Sequence, residues 1–380
     1  MKRESAERGA ARRTSEARAK VRGRELVALE GVCRHLLRAE RTIALLERCQ
    51  PLNWAAELQR LGAAWSAGDE THPVFVYRRT VDFAPLCASL STLAETLDGT
   101  GQQQGWLADR ARELLLEARI AGAVGTPEVV DLATQRFAAG SEAEEALAQT
   151  WARARPAEGD DEDEQTLWLS HDATCPNSLI TLMQKDVGRR RLPFRIVVRD
   201  DMSSAAATGE GVVYVRAGLR HRRSTAERIV LHEIEGHALP RYGAALKGDW
   251  LLSCGVSGAS DDEEGRALWL ERTHGYLGAS RRRELGQRHL AALGVRRGAE
   301  WADTVRLLRV GGASLERALA VASRVHRGGG LARECVYIPA LARVERAFAA
   351  RPELDAWLAR GRLSLRVAEQ LADAVSQSVA

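Results

Sequence analysis

The chain has 380 residues, with 55 lysines and arginines against 51 aspartates and glutamates, and a formal net charge of +4. This balance gives no global indication of a nucleic-acid or membrane protein, and no uninterrupted apolar run is long enough to span a membrane. The six cysteines are scattered without a C-x-x-C pair, which argues against both a disulfide framework and a cysteine zinc site. We expect reduced thiols in a cytoplasmic protein without a secretory signal, built from two or three domains or one large domain.

The N-terminal part of the chain predicts a basic tail followed by helices. Residues 1–22 are basic and poor in apolar side chains, which favours a disordered tail over a contact with a polyanion. Apolar residues at helical spacing predict a helical N-terminal region over 23–154, with helices at 24–49, 54–65, 84–98 and 106–121. Residues 72–79, HPVFVYRR, predict a short strand or an extended docking segment.

Two helix starts in this region carry capping signals. Asn53 precedes the predicted helix Trp54–Trp65 and can cap it. Thr126 is the expected N-cap of a further helix, with Pro127 at its first position, where the missing N–H costs nothing.

An acidic run at 155–165, RPAEGDDEDEQ, predicts an exposed linker before a catalytic region over 166–380. Two stretches rich in β-branched residues, Phe194–Val198 and Gly211–Val215, predict strands joined by a glycine-containing loop or turn. A helix then follows, for which Ser224 and Glu227 predict a capping box.

Residues 232–237 on that helix read HEIEGH and place two imidazoles and two carboxylates within six positions. Imidazole is a common zinc ligand, and a neighbouring carboxylate can act as general base on a metal-activated water. The spacing H-E-x-x-x-H is one residue longer than the zinc-protease signature. Positions i and i+5 lie roughly 140° apart on a regular helix. His232 and His237 can therefore share a metal only through an i→i+5 bulge or a helix end near Gly236, which we expect to absorb the distortion.

A competing interpretation of these residues is a charged helix that happens to carry two histidines. If they do bind a catalytic zinc, one further protein ligand is needed, because the fourth position is kept for water. Residues 261–271, DDEEGRALWLE, place Glu264 and Glu271 seven positions apart, nearly on one helix face. Glu264 can then bind the metal while Glu271 orients a ligand imidazole. For Asp261–Glu263 we expect only an acidic helix N-terminus, favoured by the helix dipole.

Three ordered segments resemble one known family: HEIEGH at 232–237, EEGRALWLE at 263–271 and VHRGGGLARECVY at 325–337. They are similar to the bacterial flavohaemoglobin expression-modulating QEGLA-motif proteins, which are related to the microtubule-associated tyrosine carboxypeptidases. The family pattern is H-E-x-x-x-H, then Q-E-G-L-A, then R-G-G-G-x-T-K-D-x-V-Y. Weaker similarity covers Asn53–Arg79 and Gly122–Phe137.

The resemblance implies an HExxxH zinc metallopeptidase with His232, His237 and Glu264 as ligands of one Zn²⁺ and Glu233 as catalytic base. This implied set gives Glu264 a metal-binding role that the acidic helix N-terminus would not require. The chain departs from the pattern at several positions, which are Glu263 for Gln, Arg266 for Leu, Ala332-Arg333-Glu334 for Thr-Lys-Asp, and Pro240-Arg241-Tyr242-Gly243 for a polar stretch with Asn. We expect these departures to alter substrate recognition rather than the metal centre.

The third segment supplies candidates for the remaining chemistry. By motif position, Tyr337 and His326 are candidates to donate to the oxyanion. Arg327 and Arg333 are candidates to grip a substrate α-carboxylate, and the alternative for both is a surface cation near a helix end. The glycine run 328–330 predicts either a close backbone approach to substrate or a flexible loop.

We therefore predict a predominantly helical α+β fold, with a zincin-like metallopeptidase core, a small β-sheet and a helical N-terminal region. The expected function is a zinc-dependent carboxypeptidase that acts on the C-terminus of a peptide or protein. One alternative is a metallopeptidase or amidase that trims a small peptide in a biosynthetic pathway. Another is a non-catalytic regulatory protein, with a structural metal or acting through its basic tail. We expect no membrane or nucleic-acid partner, and the sequence does not indicate an oligomeric state.

Overall fold

The computed structural model describes residues 29–155 and 166–379. The predicted basic tail, 1–22, lies outside the described residues, and so does the predicted acidic linker apart from Arg155. The division of the chain into an N-terminal and a catalytic region stays a prediction.

The described part of the chain is predominantly helical. Its N-terminal helices are α1 (29–43), α2 (Leu45–Arg48), α3 (Trp54–Ser66), α4 (Ala84–Leu97), α5 (Gln102–Gly122), α6 (Glu128–Arg136) and α7 (Glu142–Ala152). The later ones are α8 (Leu179–Arg189), α9 (Arg223–Leu231), a π-helical segment (His232–Ala238), α10 (Leu239–Leu246), α11 (Trp250–Cys254), α12 (Ala259–Thr273), α13 (Ala279–Arg296), α14 (Trp301–Val310), α15 (Leu315–Gly330), a 3₁₀ turn (Arg333–Val336), α16 (Tyr337–Ala350), α17 (Leu354–Leu358) and α18 (Leu365–Val379).

Two small sheets complete the α+β fold. The strands are β1 (Trp168–Leu169), β2 (Arg195–Arg199), β3 (Ala206–Thr208), β4 (Val212–Arg216) and β5 (Arg220–His221). β1 pairs with β5, and the three-stranded sheet has the order β2-β4-β3, with β4 parallel to β2 and antiparallel to β3. The two predicted strands are confirmed as β2 and β4. Their predicted connection was incomplete, because it contains the edge strand β3, whose three residues are too few to show a period.

The three-stranded sheet packs on α8, α9 and the π-helical segment. Val213 and Val215 of β4 are fully buried against Met183 of α8 and Ile234 of the π-helical segment. The largest apolar cluster lies elsewhere and draws on α1 to α6 together with α13 to α16, so it joins both sides of residues 155–165. Across the described residues, no helix combines the length and apolarity needed to cross a membrane.

The segment 72–79 forms neither helix nor strand and docks beside the start of α3. Asn53 holds it there: its Nδ2 donates to the Val74 carbonyl oxygen at 2.8 Å, and its Oδ1 accepts the Val76 N–H at 2.9 Å. Asn53 does stand at the predicted N-cap position of α3, but its side chain makes no capping hydrogen bond, because it binds Val74 and Val76, 21 and 23 positions further along the chain.

Two other predicted caps are wrong in position. α6 begins at Glu128 with Pro127 at the N-cap, and the Thr126 hydroxyl donates instead to the Ala123 carbonyl at 2.8 Å. α9 begins at Arg223, so Ser224 already lies inside the helix and forms no capping box. The start of α9 is set by β5, which ends at His221 and leaves only one extended residue before the helix.

Candidate metal centre

The HEIEGH segment forms a π-helical segment between α9 and α10. Its i→i+5 pattern ends with the Leu239 N–H donating to the Ile234 carbonyl. The helix therefore continues past Gly236, and of the two sequence-based alternatives the bulge is the one observed. The wider turn brings the His232 and His237 rings to a centroid separation of 5.2 Å. An insertion that would separate the imidazoles on a regular helix leaves them side by side here.

Gly236 is needed for packing against α12 rather than for an unusual backbone conformation. A Cβ at this position would lie 2.6 Å from the Ala267 Cβ, and one at Gly265 would lie 2.5 Å from the Ala340 carbonyl oxygen. α12 is thus held closely between the π-helical segment and α16. This close approach places the acidic face of α12 against the two histidines.

Three ligand atoms converge at this contact. Glu264 Oε2 lies 3.3 Å from His232 Nε2 and 3.7 Å from His237 Nε2. Ligand atoms of His232, His237 and Glu264 all lie within 4.8 Å of one another, and the three side chains are at most about one-eighth exposed. Because nitrogen and oxygen ligands lie about 2.0–2.2 Å from zinc, the ligand atoms around a tetrahedral ion are separated by about 3.3–3.6 Å. The spacing can accommodate one metal ion.

The hydrogen bonding around this cluster also fits a metal. Glu264 Oε2 is buried and has no hydrogen-bond partner among the described residues. A buried, unpaired carboxylate oxygen is costly, and coordination of a cation would satisfy it. Two imidazoles and one carboxylate form a donor set that suits zinc and leaves a position for water.

Glu271 supports His232 from the side away from the cluster. Its Oε1 lies 2.8 Å from His232 Nδ1, and Arg281 and Arg228 donate to the same carboxylate at 2.8–3.1 Å. Burial raises the pKa of this carboxyl, but the two guanidiniums outweigh burial and hold the pKa well below its usual range. Glu271 is therefore an anion that can fix the tautomer and orientation of His232.

Glu263 was expected only to favour the helix dipole at the start of α12, but its carboxylate also contacts other side chains of the site. Asp261 and Asp262 do lie in the first turn of α12, but the Glu263 carboxylate is buried 3.5 Å from His237 Nδ1 and 3.1 Å from Arg241 Nη2. Burial raises its pKa, and Arg241, His237 and Arg362 together lower it to about 2. The expectation was wrong because the two arginines that permit its burial are distant in sequence.

Glu233, the predicted base, is buried and points toward β3. The Thr208 hydroxyl lies 2.8 Å from Glu233 Oε2 and 3.1 Å from its main-chain oxygen. Sequence analysis missed Thr208, Glu263 and Arg241 as neighbours of the site. Thr208 lies in a strand too short to predict, and Arg241 was noted only as a departure from the family pattern.

Arg333 lies beside the cluster, and Tyr337 lies beside Arg333. Arg333 donates to Glu264 Oε1 at 3.2 Å and to the Tyr337 hydroxyl at 3.3 Å. The structure thus places Arg333 next to the oxygen of Glu264 that does not face the histidines. The alternative of a surface cation does not describe it, since its side chain is only 11% exposed.

His326 and Arg327 lie in different surroundings. His326 Nε2 lies 2.8 Å from the Thr304 hydroxyl of α14, and burial lowers the pKa of this imidazole to about 4. Arg327 is buried, donates to Ser203 Oγ at 2.5 Å and lies 3.6 Å from Glu334. Neither residue contacts a ligand of the cluster within the part of the chain that the structure describes. Arg324 also pairs with Glu334, so the acidic departure at this position belongs to a buried ion network.

The glycine run 328–330 packs inside the protein. All three glycines have positive φ, between 72° and 113°. A Cβ at each would lie under 3.0 Å from Cys49, Thr126 or Val130 respectively. The predicted flexible loop is wrong, because these glycines let the end of α15 turn against the N-terminal helices. A close backbone approach to substrate stays a prediction.

Comparison with known proteins assigns a family to this arrangement. A family model described as MATCAP, microtubule-associated tyrosine carboxypeptidase, matches residues 65–380. A search of curated proteins and a search of solved structures each found no match. The matched range contains the two histidines, the carboxylates of α12 and the third motif, and it spans most of the chain. The chain therefore belongs to the microtubule-associated tyrosine carboxypeptidase family.

Proposed function

We propose that the protein is a zinc-dependent carboxypeptidase that removes a C-terminal residue from a peptide or protein. The observation that carries the proposal is the approach of His232 Nε2 and His237 Nε2 to Glu264 Oε2, a buried carboxylate oxygen without a hydrogen bond among the described residues. Membership of a carboxypeptidase family supports the reaction class. We also propose a zincin-like core and, on the three ordered motifs, a place among the QEGLA-motif proteins.

Each residue has a role in the proposed reaction. A zinc ion held by the three ligands would polarise the scissile carbonyl and acidify a water molecule. Glu233 accepts the proton of the attacking water and returns it to the leaving amine. Tyr337 donates its hydroxyl proton to the developing oxyanion, and Arg333 binds the substrate α-carboxylate. These two residues are favoured over His326 and Arg327 because Arg333 contacts Glu264 and Tyr337 contacts Arg333.

The test is a mass-spectrometric digest of a peptide library with free or amidated C-termini. Zinc-loaded wild type should release single C-terminal residues from free carboxylates only. Glu233→Gln should reduce release by roughly 10²–10⁴-fold, the usual contribution of a general base. Glu235→Gln is the matched control, because Glu235 lies in the same π-helical segment but pairs with Arg190, the residue that follows α8.

The digest separates the alternatives. Cleavage of amidated peptides at the same rate would contradict the carboxypeptidase and favour an amidase or an endopeptidase. Equal cleavage rates for wild type and Glu233→Gln would show that Glu233 is not the general base. Absence of cleavage by a protein shown to contain one zinc would favour the structural-metal alternative.

A further inference from the structure

A hydroxyl group lies directly against the carboxylate of the proposed general base. Thr208 is the last residue of β3, the edge strand, and its side chain reaches both Glu233 Oε2 and the Glu233 carbonyl. We propose that Thr208 is a positioning residue that holds the Glu233 carboxylate in its working orientation beside the metal ligands. The inference rests on the proposed metallopeptidase function and extends it to a residue outside the three motifs.

The two distances allow Thr208 to serve both protonation states of Glu233. A threonine hydroxyl has one proton to donate and can accept as well. Toward ionised Glu233, the hydroxyl donates to Oε2 at 2.8 Å, and the charge of the acceptor strengthens this bond. Once Glu233 has taken a proton from water, the carboxyl O–H can donate to Thr208 Oγ1. The threonine proton then turns to the Glu233 carbonyl oxygen, 3.1 Å away.

β3, which carries the Thr208 hydroxyl, is fixed to α10, the helix that directly continues the π-helical segment with Glu233. Arg241 of α10 donates through Nη1 to the Thr208 carbonyl at 2.9 Å and through Nη2 to Glu263 Oε2 at 3.1 Å. Thr208 also lies opposite Val213 in the antiparallel pairing of β3 with β4. A β-branched side chain on a fixed strand has few χ1 options, so the hydroxyl keeps its direction. These contacts give the carboxylate a rigid neighbour rather than a mobile one.

Kinetics of two zinc-loaded variants test the positioning role. Thr208→Val keeps the shape but removes the hydroxyl, and kcat should fall roughly 10- to 100-fold, as for a small misplacement of a catalytic group. KM should stay within about twofold, because the interaction acts on the reaction and not on substrate binding. Thr208→Ser should restore most of kcat, since it returns the hydroxyl. An unchanged kcat in Thr208→Val, or an equal loss in both variants, would overturn the proposal.

A second measurement needs neither zinc nor turnover. Urea unfolding of the metal-free wild type, Thr208→Val, Glu233→Ala and the double variant forms a double-mutant cycle. Thr208→Val should lower the unfolding midpoint clearly in the wild-type background and much less beside Glu233→Ala. Equal shifts in both backgrounds would show that no hydrogen bond links the residues and would overturn the proposal. If wild type cleaves no peptide, the carboxypeptidase fails while this cycle still decides the Thr208 contact.

Discussion

The two histidines of the centre are supported by carboxylates of the same helix, but the supports differ. Glu271 lies at 2.8 Å from His232 Nδ1, a full hydrogen bond. Glu263 lies at 3.5 Å from His237 Nδ1, and that nitrogen has no hydrogen-bond partner within the described residues. Each carboxylate is in turn neutralised by two arginines.

The difference indicates that the site is oriented more firmly on one side than on the other. His232 has its tautomer and ring direction set by Glu271 before any metal binds. His237 is attracted by the Glu263 charge without a directed bond, so its orientation would depend more on a bound metal.

Removal of Glu264 should have the largest effect, because its Oε2 faces both histidines. Glu264→Ala should weaken zinc binding by more than about 100-fold, beyond the usual loss for an outer support. Competition with a chromogenic chelator measures this, and Glu235→Ala is the matched control. If Glu264→Ala binds zinc like wild type, the metal site lies elsewhere.

Loss of the Glu271 support of His232 should have the second-largest effect on zinc affinity. Glu271→Gln should weaken zinc binding roughly 10- to 100-fold, because the amide holds the His232 ring less well. Arg228 and Arg281 also lose a charged partner, so the variant should be less stable to urea. Reduced stability with unchanged zinc affinity would show that Glu271 only neutralises the arginines.

Loss of the Glu263 support of His237 should reduce zinc affinity less than loss of Glu271. Glu263→Gln should reduce zinc affinity by less than about tenfold, since the 3.5 Å separation provides charge attraction but no directed bond. The same chelator competition measures it beside Glu271→Gln. Equal losses in the two variants would mean that the supports are equivalent and would contradict the comparison.

The smallest effect concerns the pH dependence of the metal-free protein. Burial favours neutral His237, but the Glu263 and Glu264 carboxylates outweigh burial and raise its pKa to about 10. With the pKa higher in the folded state, this stabilisation is fully present below the unfolded value of about 6.5 and is lost as the pH rises toward 10. Urea midpoints of metal-free wild type should therefore fall over this window. They should fall less in Glu263→Gln, and parallel curves would contradict the assignment.

Much of the fold could be predicted from local pattern alone. The helices α3 to α5 and the strands β2 and β4 match the predicted segments to within a few residues. The caps were less predictable, because Asn53 and Thr126 have the chemistry of a cap but use it for other contacts. A short polar side chain can satisfy many backbone groups, and only tertiary structure selects one.

The candidate metal centre was likewise predictable only in part from local sequence. The spacing of HEIEGH restricts the histidines to a bulge or a helix end, and the structure contains the bulge. The packing of the glycine run 328–330 could not be predicted, because glycines with positive φ occur both in flexible loops and in packed turns. The packing role of these glycines became clear only from their contacts with Cys49, Thr126 and Val130, each at least 200 positions away from the glycine it meets.

The sequence by itself determined the residue types of the centre, the helical periodicity around them and the family pattern, because these depend on neighbours within a few positions. Tertiary structure alone decided that Thr208 meets Glu233, that Arg241 meets Glu263 and that Arg281 and Arg228 meet Glu271. These contacts join separate elements whose approach is set by packing. Gly236 against Ala267, and Gly265 against the backbone of α16, bring the helices close enough for charges to be buried in pairs.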